Sequence, residues 1–453
     1  MSLPDGILVG WYGDDFTGAA ATMEVLAFAG VPSVLFLDVP GDAELARFPE
    51  ARAVGIASTA RSHGPEWMEA HLPGAFRFLK GTGAPVVHYK VCSTLDSSPE
   101  VGSIGKAIDI GAPIVGGRFV PCLVAAPAMR RYQAFSNLFA GAPEGVFRLD
   151  RHPVMARHPV TPMGEADVAR HLSAQTGRAF GLISVEDLEG DAAGALAREL
   201  DRGVDVVCLD AMSGAHMAVN GGLIWPEGGQ VFAVGSQGVE FALVAHWRAT
   251  GELPVTDVTA GAGPVERMLA VSGSVSPVTA AQIDWAEAHG FQPIALDAAA
   301  IALGDSAAED AAYGAAMQAL AEGRDPLIHS ARGPEDPGVA AMRAAVAGAG
   351  VDMGEANQRI GAALGRLLAR LLRETGIRRA VISGGDTSGH AARQLDLFAF
   401  SALAPTIPGA ALLDAHSNDP DLAGLQLALK GGQMGSADFF GWIKQGGGTV
   451  RNN

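Results

Sequence analysis

Basic residues are scarce in this chain: 32 Lys and Arg stand against 49 Asp and Glu, a formal net charge of −17. Nucleic-acid and anionic-membrane surfaces need clustered Lys and Arg, so the balance argues against both kinds of partner. Backbone donors and a few local cations still decide any one pocket, so a small anionic substrate stays compatible with it. Cysteine is scarcer still, with Cys92, Cys122 and Cys208 alone. No pair has the CxxC spacing of a zinc or redox site, and Cys122 and Cys208 sit in apolar strand-like runs as buried thiols. Cys92 follows a strand end, where it can line a site. Also missing are an apolar stretch of about 20 residues to span a membrane and the basic and apolar regions of a signal peptide. A cytoplasmic protein in a reducing compartment is the expectation. With 453 residues, 48 % hydrophobic and 18 % charged, the chain has enough apolar surface for two ordered domains.

Strands and helices alternate from the start. Ile7–Tyr12, Ser33–Leu37, Ala53–Ala57, Val86–Tyr89 and Cys122–Ala125 are short apolar runs. Helical compositions at Thr17–Ala29, Pro65–Leu79 and Gly164–Ala174 lie between or after them. Continuous apolar strands are those buried on both faces, so the fold class is α/β, each domain a mostly parallel sheet flanked by helices. A less regular Gly-, Pro- and Thr-rich stretch around Gly251–Pro264 separates a second series. There Met268–Val271, Pro326–His329 and Arg379–Ile382 read as strands, and Val278–Ala288 and Asn357–Glu374 as helices, with Ser276 an N-cap and Pro277 in the first turn. The expected domains are residues 1–260 and 261–453. No repeat of solenoid length is present.

Chemistry-bearing residues follow the strands. After Ile7–Tyr12 comes Gly13-Asp14-Asp15-Phe16-Thr17-Gly18-Ala19, whose paired carboxylates can accept hydrogen bonds from sugar hydroxyls or deprotonate one. The plainer alternative is that Asp15 or Thr17 caps the next helix. After Val86–Tyr89 comes Lys90-Val91-Cys92-Ser93-Thr94-Leu95-Asp96-Ser97-Ser98, a lysine with a hydroxyl cluster that fits an anionic polyol, or else a solvated loop. Gly102–Ala107 lacks the spacing of a phosphate loop and is rejected as one. Arg151-His152-Pro153 and Arg157-His158-Pro159 repeat a tripeptide; the prolines and the lack of further ligands argue against a metal, leaving contact with an anionic substrate or a structural turn.

In the second half, Ala380-Val381-Ile382 runs into Ser383-Gly384-Gly385-Asp386-Thr387-Ser388-Gly389. Glycines admit close backbone approach to phosphate oxygens, hydroxyls add donors, and Asp386 can hold Mg²⁺ on a nucleotide. Ser272–Ser276, Lys430–Ser436 and Gly235–Gly238 are further small-residue loops. One such loop is usually a plain turn; several in one α/β protein favour a nucleotide. None fits G-x-G-x-x-G or the Walker pattern.

Taken together in order, Asp14–Ala19, His158–Met163, Gly273–Ser276, Gly384–Ser388 and Lys430–Gly435 make the chain resemble the four-carbon acid sugar kinase family over nearly its whole length. The resemblance implies an N-terminal acid-sugar-binding domain, a C-terminal nucleotide-binding domain and an active site in the cleft between them. It implies ATP and Mg²⁺ as cofactors, with Ser274, Gly384, Gly385, Asp386, Thr387 and Gly432 on the nucleotide. Asp14, Asp15, Arg61, Lys90, Thr94 and His158 would hold the acid sugar. Asp15 would orient or deprotonate the reacting hydroxyl, with Asp386 the alternative. Where the family commonly reads Lys-x-Asp-Ser-Thr-Leu-Arg-Gly-Asn, this chain has Cys92 for the Asp and Asp96 for the Arg. The expected substrate is a small acid sugar, tetronate-like, a 3-oxo-tetronate or the branched 3-oxo-isoapionate, and that exchange counts against the linear tetronates and for the branched acid. Oligomeric state stays open, a homodimer being one option. Two other readings compete: a non-catalytic sugar-acid sensor, which would not need the nucleotide loops, and a nicotinamide-dependent oxidoreductase, which should show the dinucleotide fingerprint.

Overall fold

A computed structural model describes residues 3–142, 144–157, 161–256 and 260–449, apart from the Asp386 side chain. The chain divides into two compact units, Met1–Asp257 and Val258–Asn453. The first contains β1 (Val9–Gly13), β2 (Ser33–Phe36), β3 (Ala53–Ala57), β4 (Val86–Lys90) and β5 (Val120–Leu123). A small antiparallel sheet of β6 (Arg131–Ala134), β7 (Asn137–Ala142) and β8 (Gly145–Arg148) follows, then β9 (Phe180–Ile183), β10 (Val206–Leu209) and β11 (Val231–Gly235). The main sheet runs β2-β3-β1-β4-β11-β5-β10-β9, and its pairings are parallel. Every residue of β1, β3, β4, β5, β10 and β11 is buried, because helices cover both faces.

Caps explain where the helices start. Asp15 is extended at φ −142° and its carboxylate accepts from Gly18 N, which opens the helix Phe16–Phe28. Ser103 caps Ile104–Val115, so Gly102–Ala107 is a helix entry and no phosphate loop. The expected helix Gly164–Ala174 shortens to Val168–Ser173, because Asp167 turns its side chain onto Arg170 N and caps it there.

The antiparallel sheet β6–β8 has no counterpart in the sequence reading. Its first turn carries Phe135 and Ser136 at φ 48° and 66°, a left-handed pair that normally needs Asn-Gly. Buried Asp210 supplies the compensation: its carboxylate accepts from Phe135 N at 2.5 Å, Ser136 N at 3.0 Å and Val185 N at 3.2 Å. Asp210→Ala leaves three backbone donors without that acceptor and is expected to cost about 3 kcal/mol locally. Hydrogen exchange of peptides covering 131–148 measures it; unchanged protection would refute the clamp.

The second unit contains β12 (Leu269–Ser272), β13 (Phe291–Ala295), β14 (Asp325–His329), β15 (Arg379–Ser383), β16 (Leu397–Ala404), β17 (Leu412–Ser417) and β18 (Gln426–Lys430). Their order is β13-β14-β12-β15-β18-β17-β16, with β17 antiparallel to both neighbours and the pairings from β13 to β18 parallel. Ser276 caps the helix Pro277–Ala288, as its sequence implies. The long helix Met353–Thr375 starts four residues before the expected Asn357, because Asp352 caps it, and stops at Gly376 with φ 70°.

Both units repeat one arrangement. The second and third strands lie to one side of the first, and the fourth lies on the other, so strand order reverses between β1 and β4 and again between β12 and β15. Open α/β sheets leave a crevice beyond the carboxyl ends of strands at such a reversal. The Asp14-Asp15 and Lys90 loops leave β1 and β4; the Ser272–Ser276 and Gly384–Thr387 loops leave β12 and β15.

Candidate functional sites of the two units

In the first unit the backbone ties the strand ends together before any side chain acts. Asp14 N donates to Lys90 O at 2.9 Å, Ser58 Oγ to Gly13 O at 2.9 Å, and Arg61 N to Asp14 O at 3.0 Å. Arg61, on the 3₁₀ turn Ala60–Ser62 beyond β3, then reaches both carboxylates. Its Nη2 lies 2.6 Å from Asp14 Oδ1 and 2.8 Å from Asp15 Oδ1, and its Nε lies 3.1 Å from Asp14 Oδ2. A bidentate grip on one acid and a single bond to the next fixes both in one geometry.

The two carboxylates differ in environment. The Asp14 side chain is 2 % exposed and that of Asp15 16 %. Burial pushes Asp14 above the ordinary carboxylate range, with Asp15 beside it adding to the rise and Arg61 opposing. Burial acts upward on Asp15 too, but Arg61, Lys90, the Thr17 hydroxyl at 2.5 Å and Gly18 N together bring it below that range. Asp15 is thus ionised, oriented and open on one side. It caps its helix, as the plainer reading has it, and it stands at the carboxyl end of β1, where strand order reverses.

Lys90 is buried and donates to Val91 O at 2.8 Å. Gly18 makes room for it: a Cβ there would stand 2.6 Å from Lys90 Nζ and 2.3 Å from Asp15 Oδ1. Thr94 Oγ1 lies 2.9 Å from both Cys92 Sγ and Asp96 Oδ1. Burial, reinforced by Asp96, raises the Cys92 thiol, so it stays a neutral thiol at pH 7. Asp14, Asp15, Arg61 and Lys90 are therefore brought together, with Cys92 and Asp96 within the electrostatic reach of Arg61. His158 lies outside the described residues.

Beneath this cluster, His88 Nδ1 is 2.7 Å from Glu240 Oε1 and its Nε2 is 3.1 Å from Gly235 O, both side chains fully buried. Since Gly235 O also accepts from Val91 N at 2.7 Å, the pair anchors the turn where the Lys90 loop begins. The sequence reading passed over it, because His and Glu stand 152 positions apart.

In the second unit three loops close on one another. Gly273 N donates to Ser383 O at 2.9 Å and Gly384 N to Lys430 O at 2.7 Å, and Thr279 Oγ1 lies 3.0 Å from both Ser274 Oγ and Gly432 O. The glycines are required by contact. A Cβ at Gly273 would fall 2.1 Å from Thr387 Oγ1, and one at Gly432 would fall 2.5 Å from Ser274 Oγ. Gly384, at φ 126°, is the N-cap of the helix Gly385–Ala392 and offers no side chain to the first-turn N–H groups. A Cβ at Gly385 would meet nothing within 4 Å. A helix N-terminus that opens on a glycine beside open space suits a phosphate. Ser274, Gly384, Gly385, Thr387 and Gly432 thus belong to one set of strand-end loops. Lys430, buried in the same set, is not among the site residues that the sequence implies. Among the described residues no group of three or more His, Cys, Asp or Glu could hold a metal ion, and no helix is long and apolar enough to cross a membrane.

Comparison with known proteins agrees with this division of labour. Residues 9–243 match a family model described as a sugar-binding N-terminal domain, and residues 269–440 one described as a nucleotide-binding C-terminal domain. A 3-oxo-isoapionate kinase from Paraburkholderia graminis is 46 % identical over 98 % of this chain and 95 % of its own. A 3-oxo-tetronate kinase from Methylobacterium radiotolerans is 33 % identical over 96 % of this chain and 98 % of its own. A crystal structure of a Salmonella typhimurium LT2 protein shares the fold at TM-score 0.78 and 26 % identity, covering 96 % of this chain and 98 % of that one. With strand-end carboxylates in one unit, amide- and glycine-lined loops in the other, and both domain models matched in order, the chain belongs to the four-carbon acid sugar kinase family.

Proposed function

We propose that the protein transfers the γ-phosphoryl group of ATP to a hydroxyl of a small acid sugar, 3-oxo-isoapionate being the favoured substrate. The observation that carries this is the Asp14–Arg61–Asp15 grip, a fixed acidic set that can receive a hydroxyl, in a chain 46 % identical to a 3-oxo-isoapionate kinase. Phosphoryl transfer asks for positioning and charge stabilisation more than covalent chemistry. In this reading the first-turn amides of Gly385–Ala392, with Ser274, Thr387 and Gly432, bind the phosphates, and Asp15 orients the attacking hydroxyl. Lys430 is assigned to the same phosphates.

Mg²⁺ in such enzymes is held by one or two carboxylates together with phosphates and water. Asp386, whose side chain lies outside the described residues, is the carboxylate proposed to hold it. Bound there, the ion neutralises charge on the β- and γ-phosphates.

The loop exchange bears on substrate. With Cys92 a neutral thiol against the Thr94 hydroxyl and Asp96 an acceptor, the loop presents hydrogen-bonding groups without a cation of its own beyond Lys90. ATP consumption with Mg²⁺ is to be measured across D-threonate, D-erythronate, 3-oxo-tetronates and 3-oxo-isoapionate. Turnover is expected to be fastest on 3-oxo-isoapionate. Silence on all four classes with ATP binding intact would move the substrate elsewhere; silence without ATP binding would overturn the kinase reading and favour a sensor.

A further inference from the structure

In the acid-sugar cluster both cations already have partners. Arg61 is engaged by Asp14 and Asp15, and Lys90 is buried against Val91 O. A third cation stands at the same sheet edge. Beyond the carboxyl end of β5, the chain makes the 3₁₀ turn Pro127–Met129 and enters β6 at Arg131. The Arg131 Nη1 makes only long contacts to backbone carbonyls, 3.3 Å to Met129 O and Arg130 O and 3.4 Å to Gly141 O, and its Nε is buried with no partner. Arg131 has no ion pair with any described carboxylate. The acidic groups whose field reaches it are Cys92 and Asp96, which also reach Arg61 after Asp14 and Asp15. Asp96 is likewise unpaired with any described cation and accepts from the Thr94 hydroxyl.

His152 stands beside Arg131 and is 7 % exposed. Its Nδ1 accepts from Val154 N at 3.2 Å and Met155 N at 3.3 Å, which assigns the ring proton to Nε2. That buried Nε2 has no partner within hydrogen-bonding geometry, although the Gly141 carbonyl is near. A guanidinium without a carboxylate, and a buried N–H whose neighbouring Gly141 carbonyl falls outside good hydrogen-bonding geometry, are costly to leave so. Together they describe a place for an anion.

We propose that Arg131, with the His152 Nε2–H beside it, binds the carboxylate of the acid sugar, while Asp96 and Thr94 face its hydroxyls. Arg131 and Asp96 lie within electrostatic reach of one another without pairing, so a hydroxy acid can satisfy both at once: its carboxylate completes the guanidinium and its hydroxyls donate to the aspartate. This explains how a loop carrying Cys92 and Asp96 can serve an anionic substrate, since the cation comes from β6. The proposal rests on the kinase reading above, and its test separates the two.

Turnover and equilibrium binding are to be measured for wild type, Arg131→Gln and Arg131→Lys. The ligands are 3-oxo-isoapionate, D-threonate and threitol, a polyol without a carboxylate. In Arg131→Gln the KM for the acid should rise on the order of 100-fold, with kcat changed by less than about threefold and the KM for ATP unchanged. Arg131→Lys should recover part of the loss. Wild type should bind acid in preference to threitol, and Arg131→Gln should lose that preference. An unchanged acid KM in folded Arg131→Gln overturns the proposal and leaves the kinase standing. Acid binding by wild type that Arg131→Gln loses, without turnover in either, overturns the kinase and leaves the anion site. No acid binding by wild type overturns the anion site, and the kinase reading then stands or falls with ATP binding. Should Arg131→Gln fail to fold, His152→Gln replaces it, with a KM increase of about tenfold expected and an unchanged KM refuting the site.

Discussion

Asp15→Asn is expected to lower kcat by about 10²–10⁴-fold while leaving the protein folded. Asparagine is as good an N-cap as aspartate, so the helix Phe16–Phe28 keeps its start. What disappears is the negative charge that Arg61 and Thr17 hold in place. The substitution also separates Asp15 from Asp14. Asp14 lies below the surface, 2 % exposed, and acts through its bidentate hold on Arg61; Asp15, at 16 %, is the acid a substrate hydroxyl can reach. The net fall of the Asp15 pKa makes it a weak base. A loose phosphoryl-transfer transition state tolerates that, because the hydroxyl needs orientation more than early deprotonation. Asp14→Asn should act differently. It frees Arg61, so kcat and substrate KM should worsen together and the melting temperature should fall. Steady-state kinetics and thermal melts of both variants check this, and an Asp15→Asn enzyme keeping more than about a tenth of wild-type kcat would refute the assignment.

The candidate site was legible where glycine and acid follow an apolar strand. Asp14–Ala19 and Gly384–Ser388 stand out because few other pressures put such residues at strand ends, and both lie where strand order reverses. The alternation of short apolar runs and helices sufficed for a mostly parallel α/β fold for the same reason: strands buried on both faces have no polar alternation to disguise them. The sheet β6–β8 was not legible. Its strands mix Arg131, Tyr132 and Gln133 with small residues, and its turn uses Phe135-Ser136, held by an Asp210 some 75 positions away in sequence. Arg131 was hidden with it. Of the two Arg-His-Pro tripeptides, the sequence favoured His158, which belongs to the longer motif. Only the contacts of Nδ1 mark His152 as a buried donor. The antiparallel β16–β17 pair also escaped notice, since Ala- and Ser-rich segments carry weak strand preference.

Lys430→Met is expected to raise the KM for ATP on the order of 100-fold without lowering the melting temperature of the ligand-free protein. Lys430 is fully buried at the end of β18, and Nζ lies 3.0 Å from Gly431 O and 3.4 Å from both Met434 O and Thr279 Oγ1. The Phe439 ring is 6.0 Å away, and no described carboxylate pairs with the ammonium. Burial brings its pKa from 10.5 down to about 7. The sign of the linkage follows. Below about pH 7 the lysine is protonated in both folded and unfolded chains, and the cost of the buried charge is felt in full. Between about 7 and 10.5 the unfolded chain binds more protons than the folded one, so stability rises with pH, by at most about 1.4 kcal/mol per unit. A nucleotide phosphate in these loops supplies the missing counter-charge, restores the proton and reverses the preference, so ATP affinity should weaken as pH climbs above about 7. Methionine keeps the volume and removes the charge. Thermal melts between pH 6.5 and 9.5 should therefore show a rise attributable to Lys430 in wild type that is absent in Lys430→Met, with ATP binding weak at every pH in the variant. A variant that melts well below wild type and still binds ATP normally would show Lys430 to be a structural tie for the Gly431–Met434 turn, with no part in holding phosphate.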